Sequence, residues 1–274
     1  MMIVGERLNS TRRPVFEAFA RKDRSYIVKE ARRQREAGAD FIDLNTAALL
    51  EREIEILEWA VPILQEEGGV GLSIDTPNPE AMEAGLRLHK GPAILNSLSG
   101  ESGKMQRLLP VIREMRPMVV VLCLDDEGLP RTAEKELEVA RRTVGLLLDE
   151  GTEPGRIFVD PLVRPIAVDQ EAGNLFLKSL RMIKGSLPEV GTIAGLSNVS
   201  FGLPRRRLLN RTFLALALAE GLDAAILDPL DGEVVATLGA AQALLGQDPS
   251  LQRFIAQVRT RKVCPPGTEK PRPE

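Results

Sequence analysis

Short, uninterrupted apolar runs alternate along this chain with longer stretches in which apolar and charged residues recur at helical spacing. Eight runs read as strands: Met2–Asn9, Phe41–Thr46, Val70–Thr76, Ala93–Leu98, Met118–Asp125, Ile157–Leu162, Thr192–Val199 and Ala224–Pro229. Their continuous apolar character, without polar alternation, is the pattern of strands covered on both faces in a parallel sheet. Helices are predicted between them. Arg24–Ala37 stops before Gly38, Glu51–Glu67 before Gly68, Glu80–His89 follows Pro79, and Thr132–Glu150 stops before Gly151. Glycine after a helix and proline at its first turn are the usual punctuation. Eight strands alternating with helices predict a (β/α)8 TIM barrel. A doubly wound sheet is the alternative, but the first strand reads Gly5-Glu6-Arg7-Leu8-Asn9 with no glycine-rich turn. Residues 1–262 are expected to form this one domain. The stretch 263–274, rich in proline and charge, is expected to be a disordered tail carrying Cys264 as an incidental thiol.

Composition narrows the chemistry. The chain has 274 residues, one histidine, two cysteines, 4% aromatics and a formal net charge of -3. A single histidine, His89, and two distant cysteines, Cys123 and Cys264, cannot build a zinc or iron–sulfur cage and propose no disulfide framework. A mildly acidic, aromatic-poor chain does not fit a nucleic-acid binder. The N-terminus meets Glu6 and Arg7 too early for a signal-peptide core, and runs such as Met118–Leu124 fall short of the roughly 20 residues of a membrane span. A cytoplasmic protein without a membrane partner is expected.

Polar residues mark the ends of the apolar runs: Asn9, Asn45, Asp75, Asn96, Asp125, Asp160, Asn198 and Asp228. In a (β/α)8 barrel, strand C-termini converge on the face that carries the active site. Asp and Asn also start turns and cap helices, so any one of the eight has a plain structural alternative. A ring of carboxylates and amides suits a flat heterocycle with alternating N–H and carbonyl groups, because a carboxylate can accept two parallel hydrogen bonds. Magnesium competes for such oxygens, but no DxD or DxxE pair concentrates them. No lysine stands at a strand end for Schiff-base chemistry, and His89 belongs to the third helix, away from that face.

The runs Val4-Gly5-Glu6-Arg7-Leu8-Asn9, Ile42-Asp43-Leu44-Asn45, Ser73-Ile74-Asp75-Thr76, Leu95-Asn96-Ser97, Val159-Asp160-Pro161-Leu162, Gly195-Leu196-Ser197-Asn198-Val199-Ser200 and Asn210-Arg211-Thr212-Phe213 occur in this order. Together, over roughly residues 1–262, the chain resembles the pterin-binding methyltransferases that act between methyltetrahydrofolate and a corrinoid protein. It is also similar to the folate module of cobalamin-dependent methionine synthase. The neighbouring dihydropteroate synthases look for Asn-Val-Thr-Pro-Asp-Ser-Phe after the first strand and Ser-x-Arg at the last. Here those places read Asn9-Ser10-Thr11-Arg12 and Asp228-Pro229-Leu230, so a synthase is the runner-up, beside a non-catalytic folate-binding protein.

The resemblance implies that Asp75, Asn96 and Asp160 hold the pterin, with Asp160 on the amino-imino edge. It implies that Asn198 sits near N5 and hydrogen-bonds it as methyl is transferred, that Asp75 with water helps to move the proton, and that Arg206 lies near the aminobenzoyl-glutamate tail. Phe201 stands where the pattern expects a glutamine, a departure on the tail side. The resemblance also implies tetrahydrofolate or 5-methyltetrahydrofolate as substrate, a corrinoid (cobalamin) on a partner protein, and a homodimer. The run Phe213–Leu222, apolar on nearly all sides, fits a helix facing either a second subunit or the barrel.

Overall fold

The computed structural model describes residues 1–260; the expected tail and Cys264 lie outside the described residues. Eight parallel strands, β1 (Met2–Asn9), β2 (Phe41–Asn45), β3 (Gly71–Asp75), β4 (Ile94–Gly100), β5 (Met118–Asp125), β6 (Ile157–Asp160), β7 (Gly191–Gly195) and β8 (Ala224–Leu227), close in sequence order into a barrel. The last strand returns to the first through the partners Met2↔Ala224 and Gly5↔Leu227. The predicted (β/α)8 barrel is the observed fold.

Helices surround it: α1 (Arg13–Ala20), α2 (Arg24–Glu36), α3 (Glu53–Ile63), α4 (Pro79–Leu88), α5 (Ser102–Met115), α6 (Ala133–Asp149), α7 (Ala172–Ser186), α8 (Arg206–Ala219), α9 (Gly232–Leu244) and α10 (Gln252–Thr260). Local chemistry sets their starts. Asp23 accepts from the Tyr26 amide, Asn78 from Glu80, Thr132 from Lys135, and Asp231 from Glu233. Each satisfies a backbone donor that the first helical turn leaves open. The expected helix 51–67 is shorter, because a 3-10 turn precedes Glu53 and a wider turn follows Ile63.

The barrel's lower interior is a small apolar cluster of Val4, Ile94, Val120, Ile193 and Ala224, joined by Met2, Phe41, Met118, Phe158 and Ile226. Two rings fill much of this floor by leaning over glycines. A Cβ on Gly71 would come 2.7 Å from the Phe41 ring, and one on Gly191 2.5 Å from Phe158. Phe41 and Gly71 are register partners, as are Phe158 and Gly191. A larger cluster, with Phe19, Ile42, Leu44, Leu72 and Phe176 among its members, packs the outer sheet face against the helices.

His89 is structural, as its sequence position implies. Its Nε2 accepts from the Leu72 amide at 3.1 Å and its Nδ1 faces the Gly91 carbonyl at 3.3 Å. Burial lowers its pKa, so the neutral ring is the folded form. His89→Ala, which leaves the buried Leu72 N–H unpaired, should cost roughly 1–3 kcal/mol in urea unfolding. A group whose pKa falls on folding stabilises above its unfolded value and loses that contribution on acidification. The stability gap between wild type and variant should therefore narrow as pH drops through about 6.5.

Candidate active site

Alternate strand residues face the barrel axis, so the parity of the apolar floor decides what faces inward above it. Continuing those stripes upward brings Glu6 on β1, Asp43 and Asn45 on β2, Ser73 and Asp75 on β3, Asn96 on β4, Asp160 on β6, and Asp228 just past β8. Asn45, Asp75 and Asn96 are successive register partners and stand at one height. Asp160 pairs with Leu122 across the β5–β6 side of the mouth.

These groups are wired together. Asn45 Nδ2 donates to Asp75 Oδ2 at 2.8 Å. One layer lower, Asp43 Oδ1 accepts from Ser73 Oγ at 2.7 Å and from Asn96 Nδ2 at 3.2 Å. Asp43 also shares a hydrogen bond with Asp75. Burial, and then the charge of Asp75, hold the Asp43 carboxyl well above the usual carboxylate range. Of the two carboxyls, Asp43 is the one driven toward its protonated form, in which it can donate to Asp75. Burial raises Asp75 as well, while the bonds from Asn45 and Asp43 work against it. Asn96 is fixed by the same contact: with Nδ2 committed to Asp43, its carbonyl oxygen is the end left for a ligand.

Among the described residues Asp160 has one hydrogen-bond partner, the Leu162 amide at 2.9 Å. Burial pushes its pKa up to about 7. Glu136 on α6, raised to about 8 chiefly by burial, feels Asp160 from behind the sheet. Beside β6, and across the mouth from the β2–β4 edge, a 3-10 turn, Leu196–Ser200, follows β7. Asn198 lies on this turn, exposed, with its amide nitrogen folded back over Gly195, where a Cβ would come within 2.9 Å. The Ser197 hydroxyl donates to Glu6 Oε1 at 2.8 Å. Arg206 reaches back from the start of α8 to Ser200 Oγ at 3.1 Å and to the Ser197 carbonyl at 2.8 Å, and its guanidinium stacks over Phe201.

Asp75, Asn96 and Asp160 are thus brought to one rim, with Asn198 on the turn beside it and Arg206 at the start of α8. Three members of the eight-residue ring are otherwise engaged, among them Asp228, whose Oδ2 accepts from Arg7 Nη1 at 2.7 Å and whose Oδ1 accepts from the Leu230 amide at 3.0 Å. Asp125 is bound by Arg142 at 2.7 Å, with Lys135 at 3.7 Å, both on α6, which places it toward the helix layer. Asn9 stands level with Asn45, but its Oδ1 closes a turn onto the Thr11 amide and hydroxyl. The seventh strand ends at Gly195 rather than Val199, so Asn198 is a turn residue. Asp43 and Glu6 were missed because they sit within strands rather than at their ends. A lone acid inside an apolar run, as in Phe41-Ile42-Asp43-Leu44, was the available signal.

Carboxylates and amides thus stand above an apolar floor at the strand C-termini, the face on which enzymes with a closed parallel (β/α)8 barrel carry their active sites. The chain belongs to the pterin-binding enzyme family, which matches it over residues 5–228. It is 35% identical to the methylcorrinoid:tetrahydrofolate methyltransferase of Eubacterium limosum, over 97% of this chain and 98% of that protein. It is 29% identical to the methionine synthase of Mycobacterium tuberculosis over 82% of this chain, which spans 20% of that larger protein. Among solved structures, the dihydropteroate synthase of Yersinia pestis aligns with a TM-score of 0.65 at 16% identity, covering 89% of this chain and 93% of that one. The Xanthomonas albilineans enzyme in complex with 7,8-dihydropteroate aligns with a TM-score of 0.67 at 20% identity, covering 89% and 92%. At such identities the likeness concerns the fold.

The Asp43 contacts generate a test. Asn can accept from Ser73 and Asn96 and donate to Asp75, so Asp43→Asn should leave stability near wild type. Asp43→Ala strands three buried polar groups and should cost roughly 2–4 kcal/mol in urea unfolding. An acid whose pKa rises on folding stabilises below its unfolded value and loses that contribution as pH climbs through the folded value. Stability of Asp43→Asn should accordingly fall less on alkalinisation than that of wild type.

Proposed function

We propose that this chain transfers a methyl group between N5 of tetrahydrofolate and the cobalt of a corrinoid held on a separate protein. The observation that carries this reading is the in-register Asn45–Asp75–Asn96 rim facing Asp160, with Asn198 uncommitted beside it. The near full-length likeness to a methylcorrinoid:tetrahydrofolate methyltransferase supports the choice of reaction.

Each residue has a distinct task. Asp160 accepts the paired N–H groups of the pterin amino-imino edge, a bidentate contact that favours its ionised form. Asn96 offers its carbonyl oxygen and Asp75 a carboxylate oxygen at the same height. The apolar floor excludes water below the ring. The corrinoid cobalt supplies the nucleophile that takes the methyl, or the methyl itself in the opposite direction. As the N5–CH3 bond breaks, N5 becomes more basic and takes up a proton; in the reverse direction it releases one. Asn198 donates a hydrogen bond to N5 that strengthens as this happens, a contribution worth roughly 3 kcal/mol. Asp75, already part of a shared-proton pair with Asp43, is placed to pass the proton through water. Arg206 attends the aminobenzoyl-glutamate tail, beside the exposed ring of Phe201.

A homodimer working in the cytoplasm belongs to the same reading. Leu208 and Leu216 on α8 and Leu244 on α9 are exposed apolar side chains that a second subunit would cover. No helix among the described residues is long and apolar enough to cross a membrane.

The protein is tested with 5-methyltetrahydrofolate and reduced free cobalamin, reading methylcobalamin by absorbance. Wild type should form it. Asn198→Ala should lower kcat on the order of a hundredfold while folate affinity stays within about threefold. Dihydropteroate formed from a pterin pyrophosphate and p-aminobenzoate, without methylcobalamin, would instead establish a synthase. Tight folate binding with neither product would establish a binding protein.

A further inference from the structure

The Asn198 amide makes no hydrogen bond to the described residues, whereas its polar neighbours on the turn do. Two sets of contacts hold the turn. From within the barrel, Glu6 Oε1 accepts the Ser197 hydroxyl at 2.8 Å. This bond passes over β8, since β1 and β7 are both neighbours of β8 rather than of each other. From outside, Ser200 Oγ donates to Asn210 Oδ1 at 2.6 Å, Arg206 Nε donates to Ser200 Oγ, and Arg206 Nη2 donates to the Ser197 carbonyl. Asn210 Nδ2 also stands 3.5 Å from Ser197 Oγ. Gly195 leaves room for the Asn198 amide to lie back over the end of β7.

We propose that Glu6 is a positioning residue: through Ser197 it fixes the Leu196–Ser200 turn so that the Asn198 amide faces the barrel mouth. This rests on the methyltransfer reading, in which Asn198 hydrogen-bonds N5. Glu6 acts as a hydrogen-bond acceptor, so its amide counterpart can replace it. Its carboxyl lies under the turn, with Asp228, Arg12 and Arg206 as the charged groups around it. Burial is the largest influence on it and raises its pKa, in keeping with a role that does not depend on a negative charge.

The test is a double-mutant cycle on methyl transfer to free cobalamin, with tetrahydrofolate affinity measured separately. Glu6→Ala and Ser197→Ala should each lower kcat on the order of tenfold to a hundredfold, with affinity within about threefold. Glu6→Gln should stay within about threefold of wild type. In an Asn198→Ala background, Glu6→Ala and Ser197→Ala should have less than about threefold further effect. The proposal is overturned if Glu6→Ala keeps wild-type kcat, if Glu6→Gln is as deficient as Glu6→Ala, or if the full loss persists without Asn198. Should Glu6→Ala fail to fold, Ser197→Ala, which removes a single hydroxyl, completes the cycle. Should wild type transfer no methyl, the functional reading falls, and the positioning is then judged from the Asn198 side-chain amide resonance. Glu6→Ala and Ser197→Ala should broaden it and Glu6→Gln should not; an unchanged resonance in all three overturns the positioning.

Discussion

Several carboxyl groups are taken out of water inside a closed sheet, and the rest of the structure follows from how their lost hydration is made good. Asp43, Asp75 and Asp160 lie on inward stripes, above rings and aliphatic side chains that offer them nothing polar. An unpaired ionised carboxylate there would be prohibitively costly, so such groups must either bind protons or find donors. Asp43 does both, holding Ser73, Asn96 and Asp75 at once. Asp160 has a single donor among the described residues and therefore keeps acceptor capacity for whatever enters the mouth.

The two halves of the mouth are built differently. On the β2–β4 side, side chains are locked to strands whose register sets their height, so a flat ring meets a rigid edge. On the β7–α8 side, Asn198 rides on a turn held through Ser197, whose hydroxyl donates to Glu6 and whose carbonyl accepts from Arg206. A rigid edge suits binding, where a ligand's fixed donors must be matched. A turn braced through its neighbours suits the part proposed for Asn198, a bond that tightens only as charge develops at N5.

Much of this could be read from the chain before any coordinates. Continuous apolar runs gave the barrel, and the polar residues closing them included Asp75, Asn96 and Asp160. Three features were hidden for physical reasons. A rule about strand ends ignores parity: on β5 Val120 faces inward while Val121 and Cys123 face the helices, so Asp125 continues the outer stripe and meets Arg142 rather than the mouth. The buried acids Asp43 and Glu6 stand inside strands, where a rule about strand ends does not look. Asn198 was placed on a strand because Leu196 and Val199 extend the apolar run, although both belong to a 3-10 turn. The family resemblance supplied the roles, which periodicity alone does not contain.

In the proposed reaction Asp160, whose pKa burial raises to about 7, ionises against the pterin edge. The most direct measurement is proton release on tetrahydrofolate binding, by calorimetry in buffers of different ionisation heats. With the free-protein value near 7 and the bound carboxylate favoured, binding should release a proton below about pH 7, releasing less as pH rises. Affinity should strengthen over the same range, and Asp160→Asn should abolish both effects. Binding with no pH-dependent release, or with proton uptake that survives in Asp160→Asn, would contradict it.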